Sequence, residues 1–182
     1  MHRHFLPVRH GLPDGEVLRL CAGLLPGVGA AALAGWLAGP GDQLLPLVVA
    51  PIGASAAMVF ALPASPLAQP FPLLAGNTAS ALIGVAAGRW LPGPALPGIV
   101  AVAAALAAMA LLHCLHPPGA AVALLAATGG KAVEARGFRF VLEPVLLESA
   151  VVLATAIAYH TLTGHRYPQH PHHPSRAVPP AL

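Results

Sequence analysis

Long apolar blocks free of charge make up most of this chain. Leu20 to Gly41, Gln43 to Gly88 and Trp90 to Gly130 carry no Asp, Glu, Lys or Arg. Roughly 20 apolar residues cross the hydrocarbon core of a bilayer as a helix, so each block holds at least one such segment. Turn residues divide the blocks. A first span is predicted over about 17–38, ended by Gly39-Pro40-Gly41-Asp42, and a second over about 44–62, with Pro51 near its middle. The stretch Pro63 to Pro70 contains three prolines, which lack backbone donors and restrict their predecessors, so no regular helix is expected there. A third span covers about 71–88 and stops at Arg89-Trp90, a fitting interfacial anchor. After Pro92-Gly93-Pro94 a fourth runs over about 95–115. His116-Pro117-Pro118-Gly119 interrupts it, and a short apolar helix follows over 118–127, about 15 Å long or half a bilayer. Gly130 to Arg139 is the one charged internal loop, and a last span covers about 141–162. The fold class is therefore all-α: a polytopic transmembrane helical bundle of four to six segments over 17–164. A polar leader (1–16) precedes it and a disordered, His/Pro-rich tail (165–182) follows.

Composition agrees. Of 182 residues, 57% are hydrophobic and 8% charged, against about 25% charged in soluble domains. The formal charge of +3 comes with no basic run interleaved with aromatics, so nucleic acid is not an expected partner; the lipid bilayer is. Arg3 and Arg9 ahead of an apolar stretch with Ala30-Ala31-Ala32 fit a cleavable signal in outline. The stretch begins late and is too long, so a retained span is expected. Cys21 and Cys114 fall inside apolar segments and read as small buried side chains.

Pro51-Ile52-Gly53-Ala54 resembles Pro117-Pro118-Gly119-Ala120. Each opens an alanine-rich stretch flanked by an apolar segment on either side, which suggests two units of three elements, although chance also produces such pairs in so Pro-, Gly- and Ala-rich a chain. Interrupted or re-entrant helices in repeated units commonly meet near the midplane of transporters. If both short elements cross there are six spans; if both are re-entrant there are four. The distribution of Lys and Arg favours five, with only the Pro51 element re-entrant, by a small margin.

The polar residues in these segments are the candidates for chemistry. At His116-Pro117-Pro118-Gly119 proline suits a first helical turn, glycine allows close approach, and amides at a helix start favour an anion. His116 there is placed to donate a hydrogen bond or take up a proton. A tight turn with His116 bonded to a carbonyl is the alternative. Pro51, Gly53 and Ser55 read either as a second helix start or as a proline kink. Ser65, Gln69 and Asn77 must face a cavity or another helix, because unpaired amides cost several kcal/mol in lipid. Glu148 is a carboxyl inside the last span, a functional candidate by default, with pairing to Arg139 or Lys131 the expected arrangement; Glu143 is expected at the interface. Gly23/Gly27, Gly35/Gly39 and Gly84/Gly88 have the spacing of close helix packing. His170, His172 and His173 read as part of a solvated tail rather than a metal site. No phosphate-binding loop, nucleophile elbow or carboxylate pair is found, so neither an enzyme nor a cofactor is expected.

Taken together, these motifs resemble the HPP family of integral membrane proteins, named for His-Pro-Pro. The likeness covers about 51–168. It comprises Pro51-Ile52-Gly53-Ala54-Ser55-Ala56, Ser65-Pro66-Leu67-Ala68-Gln69-Pro70, His116-Pro117-Pro118-Gly119-Ala120, Phe138-Arg139-Phe140-Val141-Leu142-Glu143-Pro144 and Arg166-Tyr167-Pro168. The resemblance implies four membrane-spanning helices and, by similarity to plastid and cyanobacterial members, transport of a small anion, nitrite first. This chain departs from the family pattern at Ala120 to Val122, at Asn77 where histidine is common, at His160 where asparagine is common, and at Glu148 where a small residue is usual.

The expected function is transport of a small inorganic anion, bound where the Pro51 and Pro118 helix starts converge. His116, Pro117, Pro118, Gly119, Pro51, Gly53, Ser55, Ser65, Gln69 and Asn77 would form the site, and His116 and Glu148 would supply proton coupling. A homo-oligomer in a bacterial inner membrane is expected. The rival reading is a non-transporting scaffold or sensor.

Overall fold

The structure, a computed structural model, describes residues 14–38 and 45–169. The regular elements among them are all helical: α1 (Asp14–Ala38), α2 (Leu45–Ala61), α3 (Pro70–Trp90), α4 (Leu96–Leu111), α5 (Pro118–Thr128), α6 (Gly130–Arg136) and α7 (Leu147–Leu162), which a π-helical turn at Val141–Leu146 leads into. The first turn of the predicted sequence pattern, 39–42, most of the leader and the histidines His170, His172 and His173 lie outside the described residues.

Three stretches, Gly15–Leu37, Pro70–Trp90 and Val141–Leu162, are long and apolar enough to cross a membrane. Their outward faces carry Leu18, Leu25, Leu33, Leu82, Ile157 and Leu162, all exposed. A surface so apolar suits lipid, not water. This is an integral membrane protein built as a helical bundle.

Glycine contacts fix the directions of the helices. On α1, Gly23, Gly27 and Gly35 face in turn Tyr159, Thr155 and Glu148 of α7, so the two run antiparallel. Gly23 and Gly27 also meet Phe60, late in α2. On α3, Gly76, Gly84 and Gly88 face His116, Ala123 and Ala127, so α3 and α5 run parallel. Gly98 faces Leu124 and Thr128 while Met109 packs against Gly119, so α4 runs against α5. Between membrane helices such close backbone approach supplies the packing that hydrophobic exclusion supplies in water.

Two triads result, α1 with α2 and α7, and α4 with α5 and α3. In each, a first helix runs against a parallel pair. The predicted repeat is thus present in packing, with a difference: the third helix of each sequence unit sits in the other unit's triad. The triads run in opposite senses, because α2 descends toward the turn at 62–69 from which α3 ascends. The proline-rich stretch is irregular as expected, with a single 3-10 turn at Pro66–Ala68 capped by the Ser65 hydroxyl.

Several expectations need correction. α4 ends at Leu111, short of 115, because the chain turns through His113 at φ 54° and Cys114 N–H bonds back to the Met109 carbonyl at 2.9 Å. Its turn into α5 lies opposite Gly76, roughly 9 Å inside the level at which α3 begins. α4 and α5 therefore form a hairpin whose turn lies within the length of α3, and α5, which Pro118 opens, has 11 residues, whereas Pro51 lies inside the 17-residue α2. The charged loop contains a helix, α6, closed by Gly137 at φ 51°. The start of the tail is ordered: the buried Tyr167 donates its hydroxyl to the Ala68 carbonyl at 2.8 Å, and Gln169 N–H reaches Gln69 Oε1 at 2.8 Å. Cys114 is buried, but Cys21 lies on the exposed face of α1.

Candidate functional site

Ser55, Gln69, Asn77, Ser80, His116, Glu148, Ser149 and His160 are all buried. At membrane depth each must find a partner or remain a cost, and four of them find one another. Asn77 on α3 donates through Nδ2 to the Ser55 hydroxyl on α2 (3.1 Å) and to the Ser149 hydroxyl on α7 (3.0 Å). Ser55 Oγ lies 2.9 Å from His116 Nε2, and His116 Nδ1 lies 2.9 Å from the Leu67 carbonyl. The network joins α2 and α7 of one triad to α3 and the α4–α5 hairpin of the other.

The carbonyl of Leu67 only accepts, so the hydrogen belongs on Nδ1 and the neutral ring presents Nε2 as an acceptor. Ser55 then donates to the ring and accepts from Asn77. A protonated ring would donate from Nε2 instead, and the Ser55 proton has an alternative acceptor in the Pro51 carbonyl, 3.2 Å away. Rotation of one hydroxyl thus accommodates both states of His116. Asn77 Oδ1 has no hydrogen-bond partner among the described residues, which leaves that amide with capacity to spare.

The remaining predicted residues take other places. Gln69 Nε2 donates to the carbonyls of Pro63 (2.9 Å) and Ser65 (2.8 Å). With the Ser65 cap, this shapes the turn that presents the Leu67 carbonyl to His116, so both residues support the site without entering it. Gly119 packs against Ser80 and Gly76, where a Cβ would meet the Ser80 hydroxyl at 2.7 Å. Ser80 also contacts Met109 Sδ at 3.6 Å. Gly53 faces open space on the outer side of α2.

The convergence of two helix starts is not what the chain builds. Pro51 lies inside α2, which begins at Leu45, so it is a kink-type proline and Pro51–Ser55 offers no helix terminus. At α5, Pro117 and Pro118 have no N–H, Gly119 N–H bonds to the His116 carbonyl (2.8 Å), and Ala120 N–H to that of Pro117 (3.0 Å). The four donors usually left over at a helix start are absent or used. The site is made of side chains.

Pairing of Glu148 with Arg139 or Lys131 is also corrected. Arg139 Nη2 lies 3.6 Å from Glu143, and both side chains are exposed. Glu148 is buried against Gly35 with neither oxygen bonded. His160 Nε2 meets the Val59 carbonyl at 3.2 Å, and its ring stacks on Phe60. Ser149 was missed in the sequence, yet the rule that singled out Asn77, a polar group within an apolar segment, applies equally to it.

A family model described as HPP, transmembrane region, matches residues 12–168. The chain is also similar to two transmembrane proteins of Dictyostelium discoideum. One is 34% identical over 134 residues, which is 70% of this chain and 46% of that protein; the other is 34% identical over 120 residues, 63% and 38%. The chain spans less than half the length of either relative. No solved structure matches.

Proposed function

The chain belongs to the HPP transmembrane family, and from that premise we propose that it carries a small inorganic anion, nitrite first, across the membrane. The observation that supports this reading is the buried network of Ser55, Asn77, His116 and Ser149, which bridges two triads of opposite sense. Carriers built from inverted units bind their substrate near the midplane between those units and move it by rocking one against the other.

Three neutral donors, the hydroxyls of Ser55 and Ser149 and the Asn77 amide, are suited to replace part of the hydration of one small monovalent anion, and His116 adds a fourth from Nε2 when its ring is protonated. Among the described residues no carboxylate bonds to the network. In the closed state these groups bond to each other, so the anion enters by exchanging those bonds for its own. Protonated His116 would add a positive charge. Pro117, Pro118 and Gly119 set the turn that holds its ring. The reading is of a carrier rather than an enzyme, self-associated through its apolar faces. Helical spans of this kind suit a bacterial inner membrane, since outer-membrane proteins are typically barrels.

Thermal unfolding of the purified protein in detergent tests binding. A ligand of the folded state raises the midpoint with concentration. Nitrite is expected to do so saturably, with nitrate and chloride weaker. No shift with any of the three would favour the scaffold or sensor reading instead.

A further inference from the structure

Glu148 is the strongest buried group that the anion site leaves unused. It lies on α7 beside Ser149, with 1% of its surface exposed. Neither carboxyl oxygen has a hydrogen-bond partner among the described residues. Oε1 faces Gly35 of α1 so closely that a Cβ there would collide with it. Glycine at 35 is what allows α1 to close over the carboxyl.

Among the described residues no charged group pairs with it. Glu143, on the turn before α7, is held by Arg139. His160 is at the far end of α7, against the Val59 carbonyl. α1 carries Asp14, Glu16, Arg19 and Cys21 only in its opening turns, at the end away from Gly35, and Arg19 is paired with Glu16 at 2.7 Å. α2 has no titratable residue, and α3 has only Arg89 at its last turn. His116 lies beyond Asn77 and Ser55, in the neighbouring network.

An ionised carboxyl in such a place is far more costly than the neutral acid. The closed arrangement of α1 on α7 therefore suits the protonated group. Loss of the proton calls for water, and parting of α1 from α7 at Gly35 would admit it to Glu148. Ser149, the next residue, bonds to Asn77, so the same shift of α7 is felt at the anion site. We propose that Glu148 is a proton-binding site, closed by Gly35, whose loading is coupled to the anion cycle; the coupling rests on the transport reading above. One proton and one monovalent anion carried together move no net charge.

The test pairs two readouts on the full chain. Infrared spectra in nanodiscs, followed over pH, are expected to show a protonated carboxyl band that disappears at alkaline pH and is missing from Glu148→Gln. In proteoliposomes with a lumenal pH dye, nitrite uptake by the unsubstituted protein should acidify the lumen beyond protein-free vesicles. A gradient of one pH unit should then concentrate nitrite about tenfold. Glu148→Gln, a mimic of the neutral acid, should keep nitrite exchange but lose both acidification and concentration; Glu148→Asp should retain them. The same band in Glu148→Gln, or undiminished acidification, would overturn the proposal. A band lost in Glu148→Gln from a protein that moves no nitrite would support the proton site while refuting the transport reading.

Discussion

Nε2 of His116 lies 2.9 Å from the hydroxyl of Ser55, 61 residues away in sequence. The bond crosses from the α4–α5 hairpin to α2, and so from one triad to the other. Ser55 has three neighbours for one oxygen: the ring, the Asn77 amide and the Pro51 carbonyl. Its hydroxyl can reverse direction without breaking the network.

Ser55→Ala removes that pivot and leaves His116 Nε2 and one Asn77 N–H unpaired. Hydrogen bonds between membrane helices are worth about 1 kcal/mol each, so a modest loss of stability is expected in a thermal melt, together with loss of nitrite binding. Ser55→Thr, which keeps the hydroxyl, should retain both.

Asn77→Leu separates stability from function. Ser55 still donates to His116, serines in helices readily bond a carbonyl one turn back, and leucine removes the unpartnered Asn77 Oδ1 together with the two bonds it donates to Ser55 and Ser149. The expected stability change is under about 1 kcal/mol, whereas nitrite should no longer raise the unfolding midpoint.

Glycine substitutions test the packing of the triads. Alanine at 84 would press on Ala126 Cβ at 2.6 Å and on the Ala123 carbonyl, and alanine at 88 would meet the Ala127 carbonyl at 2.8 Å. Each is expected to cost about 1–3 kcal/mol, read as a lower melting temperature. Alanine at 53 meets nothing and should leave stability unchanged or slightly raised.

The spans were legible because lipid disfavours charge, and the spans predicted over 17–38, 44–62, 71–88 and 141–162 match α1, α2, α3 and the stretch Val141–Leu162 closely. Less legible were features set by contacts between helices. Pro51 and Pro117-Pro118 look alike in sequence, yet Pro51 is embedded in α2 while Pro118 begins α5; a proline alone does not tell a kink from a start. The helix in Gly130–Arg136 was hidden by its charges, which place it at the interface but do not prevent helix formation. Of the site, Ser55, Asn77 and His116 were identified by type. Their meeting, the supporting roles of Ser65 and Gln69, and the isolation of Glu148 depend on how the two triads cross, which no local pattern records.

Tyr167 links pH to the docking of the segment after α7. Its hydroxyl donates to the Ala68 carbonyl, and burial pushes the phenol above its ordinary range. A group whose folded value is raised contributes stability fully below its unfolded value, about 10 for tyrosine, and loses it as pH rises further. Hydrogen exchange at His165 to Gln169 should therefore show constant protection relative to the bundle up to about pH 10 and a decline above it. Tyr167→Phe should show weaker protection throughout, by about 1 kcal/mol, with no such decline.

The most direct test is nitrite flux into proteoliposomes holding the purified protein, with His116→Ala alongside and nitrate and chloride as competitors. Saturable flux in the unsubstituted protein, abolished in a folded His116→Ala, is the predicted result. No saturable flux from folded protein, or flux that survives the loss of His116, would contradict the account.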